Sequence, residues 1–97
     1  MPLIRHLENR ATMQILLFLD EYGKAKLTDI DIEASKTSLY RALTILMKWE
    51  LIREERVRPY TRYIVLTDDG KKIAKRLGEI ESILKTVREK QKLQNHS

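Results

Sequence analysis

The sequence contains no cysteine, and this absence removes several kinds of chemistry at once. Without thiols, the chain can form no disulfide, present no thiolate nucleophile and offer no cysteine ligand to zinc. The only histidines, His6 and His96, lie near the two ends of the chain. The motifs of a nucleophile elbow, a phosphate-binding loop and a zinc protease are all missing. We therefore predict a protein that is not an enzyme and that needs no cofactor and no metal.

Glycine and proline are scarce, with three and two in 97 residues, while hydrophobic residues make up 42% and charged residues 34%. This composition is typical of an ordered, helix-rich globular protein. The longest apolar run, Ile15–Leu19, is far short of the roughly 20 residues that span a bilayer. The N-terminus lacks the layout of a signal peptide. We therefore expect a soluble, cytoplasmic protein with no membrane partner.

Positive charge is in excess in this chain. Nineteen Lys and Arg residues stand against fourteen Asp and Glu residues, which gives a formal net charge of +5. Such a balance favours a polyanionic partner, because it raises the local attraction to phosphates. Many basic proteins bind no nucleic acid, so the position of the charge within the fold decides the interpretation.

The spacing of apolar residues predicts the order helix, helix, helix, hairpin, helix. The first helix is predicted over Asn9–Tyr22, with Asn9 as its N-cap and Gly23 as its C-terminal stop. A short edge strand is predicted at residues 24–27. A brief second helix is predicted to begin at Thr28, although the alternation of acidic and apolar residues that follows also suits a strand.

The third helix is the clearest element, and it is predicted to begin after the N-cap Ser35. Its apolar residues recur at helical spacing: Leu39, Ala42, Leu43 and Leu46. Two strands at residues 51–57 and 62–66 flank a connector that contains a proline, which predicts a hairpin. Thr67 is the predicted N-cap of a long fourth helix that runs to about Leu93 and is followed by a frayed polar tail.

Two segments carry a family resemblance: residues 35–52, SKTSLYRALTILMKWELI, and residues 63–70, YIVLTDDG. Together with the order of the elements, they resemble the winged helix-turn-helix regulators of the MarR, PadR and ArsR superfamily. The resemblance covers roughly residues 9–87. It implies a mainly α fold with a small β-hairpin wing and a long C-terminal dimerisation helix.

The same resemblance implies the organisation and the partners of the chain. Residues 1–70 are expected to form the DNA-binding winged helix, with an N-terminal extension at residues 1–8. Residues 71–97 are expected to form the dimerisation helix and tail of the same compact domain. The implied function is that of a transcriptional regulator that binds double-stranded DNA as a homodimer. Family members often sense a small molecule, but no residue of this chain marks an effector pocket.

The polar face of the third helix is the predicted base-reading surface, because it lies opposite the apolar face. Arg41 is the preferred direct base contact, since an arginine can donate two hydrogen bonds to guanine O6 and N7. The predicted DNA contacts of this helix are Lys36, Thr37, Ser38, Tyr40, Arg41, Thr44 and Lys48. The alternative is an ordinary solvated helix face.

The hairpin is the predicted wing, because basic side chains are concentrated there. In the resembled family the wing lies along the DNA backbone or reaches into the minor groove, and arginine suits both positions. The predicted wing contacts are Arg56, Arg58, Tyr60 and Arg62, of which Arg58 and Arg62 are preferred. One alternative stays open: Arg53 and Arg56 pair with Glu54, Glu55 or cross-strand neighbours.

The fourth helix carries apolar residues at alternating spacings of four and three, which is the pattern of a coiled-coil seam: Ile73, Leu77, Ile80, Leu84 and Val87. Ile73 and Leu77 are expected to help close the core of the domain. The predicted dimer interface consists of Leu77, Ile80, Leu84 and Val87, with a further apolar patch at Leu3, Ile4 and Leu7. The alternative is that the seam folds back on the first helix.

Two acidic features depart from a uniformly basic DNA-binding surface. Asp29, Asp31 and Glu33 are expected to face away from DNA, because a carboxylate beside a phosphate is repelled. Glu50 stands where the resembled proteins commonly have a glycine, so the turn either takes another conformation or absorbs roughly 1–2 kcal/mol of strain.

Two rival functions stay open, a protein-interaction module and a non-specific architectural DNA-binding protein. Binding to a membrane is disfavoured by the mixed charges of the fourth helix.

Overall fold

A computed structural model describes residues 2–94 of the chain; His96 and residues 95–97 of the predicted tail lie outside the described residues. Within residues 2–94 there are three α-helices, three strands and two short 3-10 helices. The α-helices are α1, Arg10–Tyr22, α2, Lys36–Lys48, and α3, Asp68–Gln94. The strands are β1, Lys24–Ala25, β2, Ile52–Arg58, and β3, Thr61–Leu66, and the 3-10 helices are Leu3–Leu7 and Leu27–Asp29.

The first helix forms where the sequence predicts it and lies at the centre of the core. The side chain of Asn9 accepts a hydrogen bond from the backbone N–H of Ala11 at 2.9 Å, which satisfies one of the free donors at the helix start. Gly23, with a φ of 82°, ends the helix. The largest fully buried side chains of the helix are Ile15, Leu16 and Leu19. Burial of each such side chain contributes about 1.5–3 kcal/mol.

The second helix predicted from Thr28 is wrong. The structure has only the 3-10 helix Leu27–Asp29 there, and residues 30–35 form neither a helix nor a strand. The connection between α1 and α2 is therefore a short 3-10 turn followed by an irregular segment.

The alternating pattern of this segment explains why it does not coil into a helix. Ile30 is buried and Ile32 packs against the core, whereas Asp31 and Glu33 are exposed. A period of two places apolar side chains on one side of an extended chain. The backbone N–H of Glu33 donates a hydrogen bond to the side-chain oxygen of Gln14 on α1 at 3.0 Å. This contact with α1 supplies one hydrogen bond to a segment that lacks those of a helix.

The cap and the core face of α2 confirm the sequence prediction. The Ser35 hydroxyl accepts a hydrogen bond from the N–H of Ser38 at 3.1 Å. The buried residues of the helix are Ala42, Leu43 and Leu46. After the helix, Glu50 has a φ of 56°, so the turn does take the left-handed conformation that costs a non-glycine residue about 1–2 kcal/mol.

The three strands form an antiparallel sheet in the order β1-β3-β2. The predicted edge strand is confirmed in part, since β1 is limited to Lys24–Ala25. One face of the sheet is buried against the helices through Ala25, Ile52, Ile64 and Leu66. Beyond these residues β2 and β3 continue as a projecting hairpin, so the same strand face carries polar side chains toward the tip.

The start of α3 is held against the turn that follows α2. The predicted N-cap Thr67 is confirmed, because its hydroxyl oxygen accepts a hydrogen bond from the N–H of Gly70 at 3.1 Å. The same hydroxyl donates to the carbonyl oxygen of Glu50 at 2.6 Å. Gly70 lies so close to Leu51 that a Cβ atom at this position would overlap the Leu51 carbonyl oxygen.

Only the first part of α3 belongs to the core. Ala74 is fully buried, and Ile73 and Leu77 pack against the buried cluster. From residue 79 onward every described residue of the helix is exposed. The seam therefore does not fold back on α1 beyond Leu77, and the helix extends a molecule whose longest dimension is 60 Å.

Candidate nucleic-acid interface

The face of α2 that points away from the core carries the side chains predicted to contact DNA. Six of the seven are exposed: Lys36, Thr37, Tyr40, Arg41, Thr44 and Lys48. The seventh, Ser38, is half-buried. A helix offers one continuous polar stripe when its polar residues recur every three to four positions. The exposed side chains of α2 thus form one surface, which we call the α2 face.

Two hydroxyl groups of this helix already have partners within the protein. The hydroxyl of Ser38 lies 3.1 Å from that of Ser35, so Ser38 takes part in the helix cap. Thr44 donates its hydroxyl proton to the carbonyl oxygen of Tyr40 at 2.9 Å. A hydroxyl that has donated its proton can still accept, so Thr44 remains able to receive a hydrogen bond from a base amino group.

The hairpin presents the predicted wing contacts on its outer half. Arg56 lies directly opposite Arg62 across the two strands, and Arg58 lies opposite Thr61 after a register shift. Tyr60, at the tip, is 98% exposed. Like charges directly opposite each other destabilise a sheet, so an anion that binds near Arg56 and Arg62 would relieve the repulsion.

The alternative that Arg53 and Arg56 are neutralised by neighbouring acids receives no support. The ion pairs among residues 2–94 are Arg10–Glu33, Lys72–Asp69 and Arg76–Glu79. Within that part of the chain, therefore, no ion pair involves Arg53 or Arg56, or any other basic residue of α2 and the hairpin. These basic side chains remain available to phosphates.

One cavity joins α2 to the hairpin. It has a volume of about 260 Å³ and is lined by Leu27, Tyr40, Leu43, Thr44, Met47, Glu54, Arg62 and Ile64. Tyr40 and Thr44 of the α2 face thus line the same recess as Arg62 of the wing. The two elements border a single concave surface, which we call the α2–wing recess.

Glu54 also lines this recess, although the sequence did not predict it as a site residue. The sequence treats Glu54 only as a partner for neighbouring arginines. A usable signal was present, since the period of two along β2 places Glu54 on the same strand face as Ile52 and Arg56.

The acidic segment before α2 turns toward α1. Asp31 and Glu33 line a groove against Leu17 and Phe18. Glu33 also lies 3.9 Å from Arg10. These contacts direct Asp31 and Glu33 toward α1, and the orientation of Asp29, Asp31 and Glu33 away from DNA stays a prediction. No group of three or more His, Asp or Glu residues within residues 2–94 is arranged to hold a metal ion.

The seam residues of α3 divide into two groups. Leu77 is half-buried against the core of its own chain, whereas Ile80, Leu84 and Val87 are 53%, 57% and 42% exposed. Ile83 is a further exposed apolar residue in this region. Apolar side chains that recur at spacings of three and four on a projecting helix are typical of a helix that pairs with another helix.

The N-terminal segment contacts the end of α2. The rings of His6 and Trp49 lie with their centroids 4.9 Å apart. Leu7 packs against the core, whereas Leu3 and Ile4 are exposed. The predicted apolar patch thus divides into one residue that stabilises the fold and two that face solvent. Among residues 2–94, none of the helices has the length and apolarity needed to cross a membrane.

These elements define a winged helix-turn-helix protein. A capped helix with a polar face, a three-stranded sheet with a projecting hairpin, and a long C-terminal helix occur in the order that this fold requires. The fold class predicted from the sequence is confirmed.

Solved structures of other proteins share this architecture. The YtfH protein from Salmonella typhimurium superposes with a TM-score of 0.75 at 17% identity, over 97% of this chain and 88% of that one. A transcriptional regulator homologue from Pyrococcus horikoshii has a TM-score of 0.65 at 20% identity, over 86% of this chain and 88% of that one.

A third similar structure is an archaeal protein reported as a mechanosensitive channel and characterised as a structural homolog of MarR-like transcriptional regulators. Its TM-score is 0.69 at 29% identity, over 84% of this chain and 66% of that one. No protein-family model and no curated protein matches the chain. The chain thus has the winged helix-turn-helix fold of MarR-like transcriptional regulators.

Proposed function

We propose that the protein is a transcriptional regulator that binds double-stranded DNA sequence-specifically as a homodimer. The observation that carries this proposal is the α2–wing recess, where Tyr40 and Thr44 of α2 face the same space as Arg62 of the hairpin. Two basic elements that border one concave surface suit a single extended polyanion. The fold supports the proposal, because solved proteins with the same architecture include transcriptional regulators.

The α2 face reads the bases in this proposal. A helix fits the major groove of B-form DNA, and residues near its N-terminus approach the base edges. Arg41 lies on the exposed side of α2 without an ion-pair partner among residues 2–94, so its guanidinium is free to donate to guanine O6 and N7. Lys36 and Thr37, in the first turn, reach bases or phosphates.

The wing contacts the backbone or the minor groove. Arg56, Arg58 and Arg62 supply cations, and Tyr60 supplies an exposed ring at the tip. Phosphate contacts contribute affinity but carry no sequence information directly. The basic side chains therefore have separate roles: those of α2 contribute specificity, and the arginines of the hairpin contribute affinity.

The exposed seam of α3 supports homodimerisation. Ile80, Leu84 and Val87 are about half exposed, so each contributes about half of the roughly 1.5–3 kcal/mol of full burial when it leaves water, and two copies of the seam double the total. The resulting gain of about 4.5–9 kcal/mol is comparable with an association cost of about 4–15 kcal/mol. A two-fold dimer presents two α2 helices, so the preferred site is a pseudo-palindrome whose half-sites lie about 10 bp apart.

Selection of bound duplexes from a random pool tests the proposal directly. The expected result is an enriched pseudo-palindrome, bound with an affinity that falls steeply as salt rises. Enrichment without sequence preference would instead indicate an architectural DNA-binding protein. Absence of binding at low salt would overturn DNA binding and favour a protein-interaction module.

A further inference from the structure

Glu54 is a carboxylate that lies beside the basic side chains of the hairpin. Its Cα lies opposite that of Ile64. On the same strand face, the next pair of facing residues toward the tip is Arg56 and Arg62. Its side chain lines the α2–wing recess together with Thr44 and Arg62. Among residues 2–94, no ion pair involves Glu54.

The same side chain also borders a second recess at the base of the wing. This recess is lined by Met47 and Lys71 and by three further acidic residues, Glu50, Asp68 and Asp69. Glu54 thus stands between the α2 face and the start of α3. A ligand that fills the α2–wing recess has to approach this carboxylate.

We propose that Glu54 is a specificity-determining residue of the DNA interface, and this inference rests on the proposed function. It keeps phosphates and base acceptors out of the α2–wing recess and accepts a hydrogen bond from a base amino group. An ionised carboxylate only accepts hydrogen bonds, so guanine O6 and N7 are unsuitable partners. The major-groove donors are the amino groups of cytosine N4 and adenine N6.

Discrimination at Glu54 is mainly repulsive. A phosphate placed near the carboxylate raises the energy of every misaligned complex, whereas a complex with an amino group at that point gains a hydrogen bond. Loss of the charge should therefore raise affinity for unrelated duplexes while it lowers the preference for the selected site. An ordinary solvated glutamate would not produce these two opposite changes.

The next residue provides a matched control. Glu55 lies opposite Tyr63, on the other face of the same strand. Glu54→Gln and Glu55→Gln change the net charge equally, by one unit at adjacent positions of an exposed strand. Adjacent residues of a strand lie about 3.3 Å apart, which is less than the Debye length of about 8 Å at physiological salt. Both variants therefore change the long-range electrostatic potential in nearly the same way. Only a local effect in the recess separates them.

The experiment compares the wild type and both variants on the selected duplex and on a scrambled duplex by fluorescence anisotropy. For Glu54→Gln we expect the Kd for the scrambled duplex to fall at least about threefold. The Kd for the scrambled duplex divided by the Kd for the selected duplex should fall about tenfold. For Glu55→Gln we expect both Kd values to shift together. A repeated selection with Glu54→Ala, which has no side-chain acceptor, should lose a preference for cytosine or adenine at one position of each half-site.

Two results would overturn the role of Glu54, and a third would overturn DNA binding. Equal effects of Glu54→Gln and Glu55→Gln would overturn the role of Glu54 and leave DNA binding intact. Weaker binding of Glu54→Gln to both duplexes would also overturn it, since the residue would then only position Arg62. Failure of the wild type to bind any duplex at low salt would overturn the proposed function itself.

Discussion

Arg56 and Arg62 are Cα partners across β2 and β3, so two cations face each other on the strand face that lines the α2–wing recess. Adjacent like charges raise the energy of the free protein, typically by about 0.2–1 kcal/mol for a directly opposed pair. The same pair offers two guanidinium groups to one phosphate. The two arginines thus lower the stability of the free protein while they strengthen its binding to DNA.

Replacing Arg62 should therefore have opposite effects on the free protein and on the complex. Arg62→Gln is expected to raise the free energy of unfolding by about 0.2–1 kcal/mol, because it removes the repulsion from Arg56. It should weaken DNA binding and reduce the slope of log K against log salt by about 0.9, because one phosphate contact is lost. Urea denaturation and anisotropy titrations at several salt concentrations measure the two quantities.

Arg53→Gln is the matched control, since Arg53 lies opposite Val65 on the other strand face. It removes the same charge but should leave the salt slope close to that of the wild type. Indistinguishable slopes for the two variants would contradict the assignment of Arg62 as a wing contact.

Arg41→Ala should reduce sequence discrimination more than general affinity. Loss of a bidentate contact to guanine is expected to weaken binding to the selected site by about 1–3 kcal/mol and to relax the preference at one base position. Arg76→Ala on α3 removes the same charge from a residue that pairs with Glu79 at 3.2 Å. The two variants should differ on the selected duplex and agree on a scrambled duplex, and agreement on both would exclude base contact by Arg41.

Leu84→Glu should produce a folded monomer. Leu84 is 57% exposed within one chain, so a glutamate is tolerated there by the monomer but not in the seam of a dimer. The helical signal in circular dichroism should persist, while sedimentation equilibrium shows half the mass. Binding to a two-half-site duplex should weaken strongly, because the second half-site loses its effective concentration.

Ser82→Glu introduces the same charge on α3 at an exposed position away from the seam spacing. This control should remain dimeric at tens of micromolar. A wild type that sediments as a monomer at this concentration, or a dimeric Leu84→Glu, would show that the seam is not the interface.

Alanine at the two glycines of α3 should change stability in opposite directions. A Cβ at Gly70 overlaps the Leu51 carbonyl oxygen, whereas a Cβ at Gly78 meets no atom within 4 Å. Gly70→Ala is expected to cost toward the upper end of the roughly 1–3 kcal/mol typical of overpacking. Gly78→Ala should stabilise the helix by about 0.8–1 kcal/mol. Thermal unfolding monitored at 222 nm compares them, and a tolerated Gly70→Ala would disprove the close approach of α3 to Leu51.

Features that depend on nearby residues were predictable from the sequence. The Asn9, Ser35 and Thr67 caps each accept a hydrogen bond from an N–H two or three positions later. These are local interactions that the residue types indicate by themselves. The core face of α2 followed equally directly from the spacing of its apolar residues.

Features that depend on distant residues were not predictable in the same way. The local alternation already indicated an extended segment as the alternative to the second helix, but it did not reveal the partner of that segment, since the N–H of Glu33 bonds to Gln14, 19 positions earlier. The α2–wing recess requires the hairpin to lie beside α2, so the position of Glu54 within it follows from tertiary packing. The assignment of individual side chains to DNA contact or to a dimer interface stays a prediction.

The contact between the start of α3 and the turn that follows α2 also has a mechanical consequence. Thr67 holds the carbonyl oxygen of Glu50, and Gly70 packs on Leu51, so we expect α3 to act as a lever on this turn. The 27 residues of α3 give this lever a length of about 40 Å. A tilt of about 5° then displaces the far end by roughly 3.5 Å, which is close to the rise of one base pair. In a dimer, a small change in the crossing angle of the two α3 helices would therefore change the preferred spacing between half-sites by about one base pair.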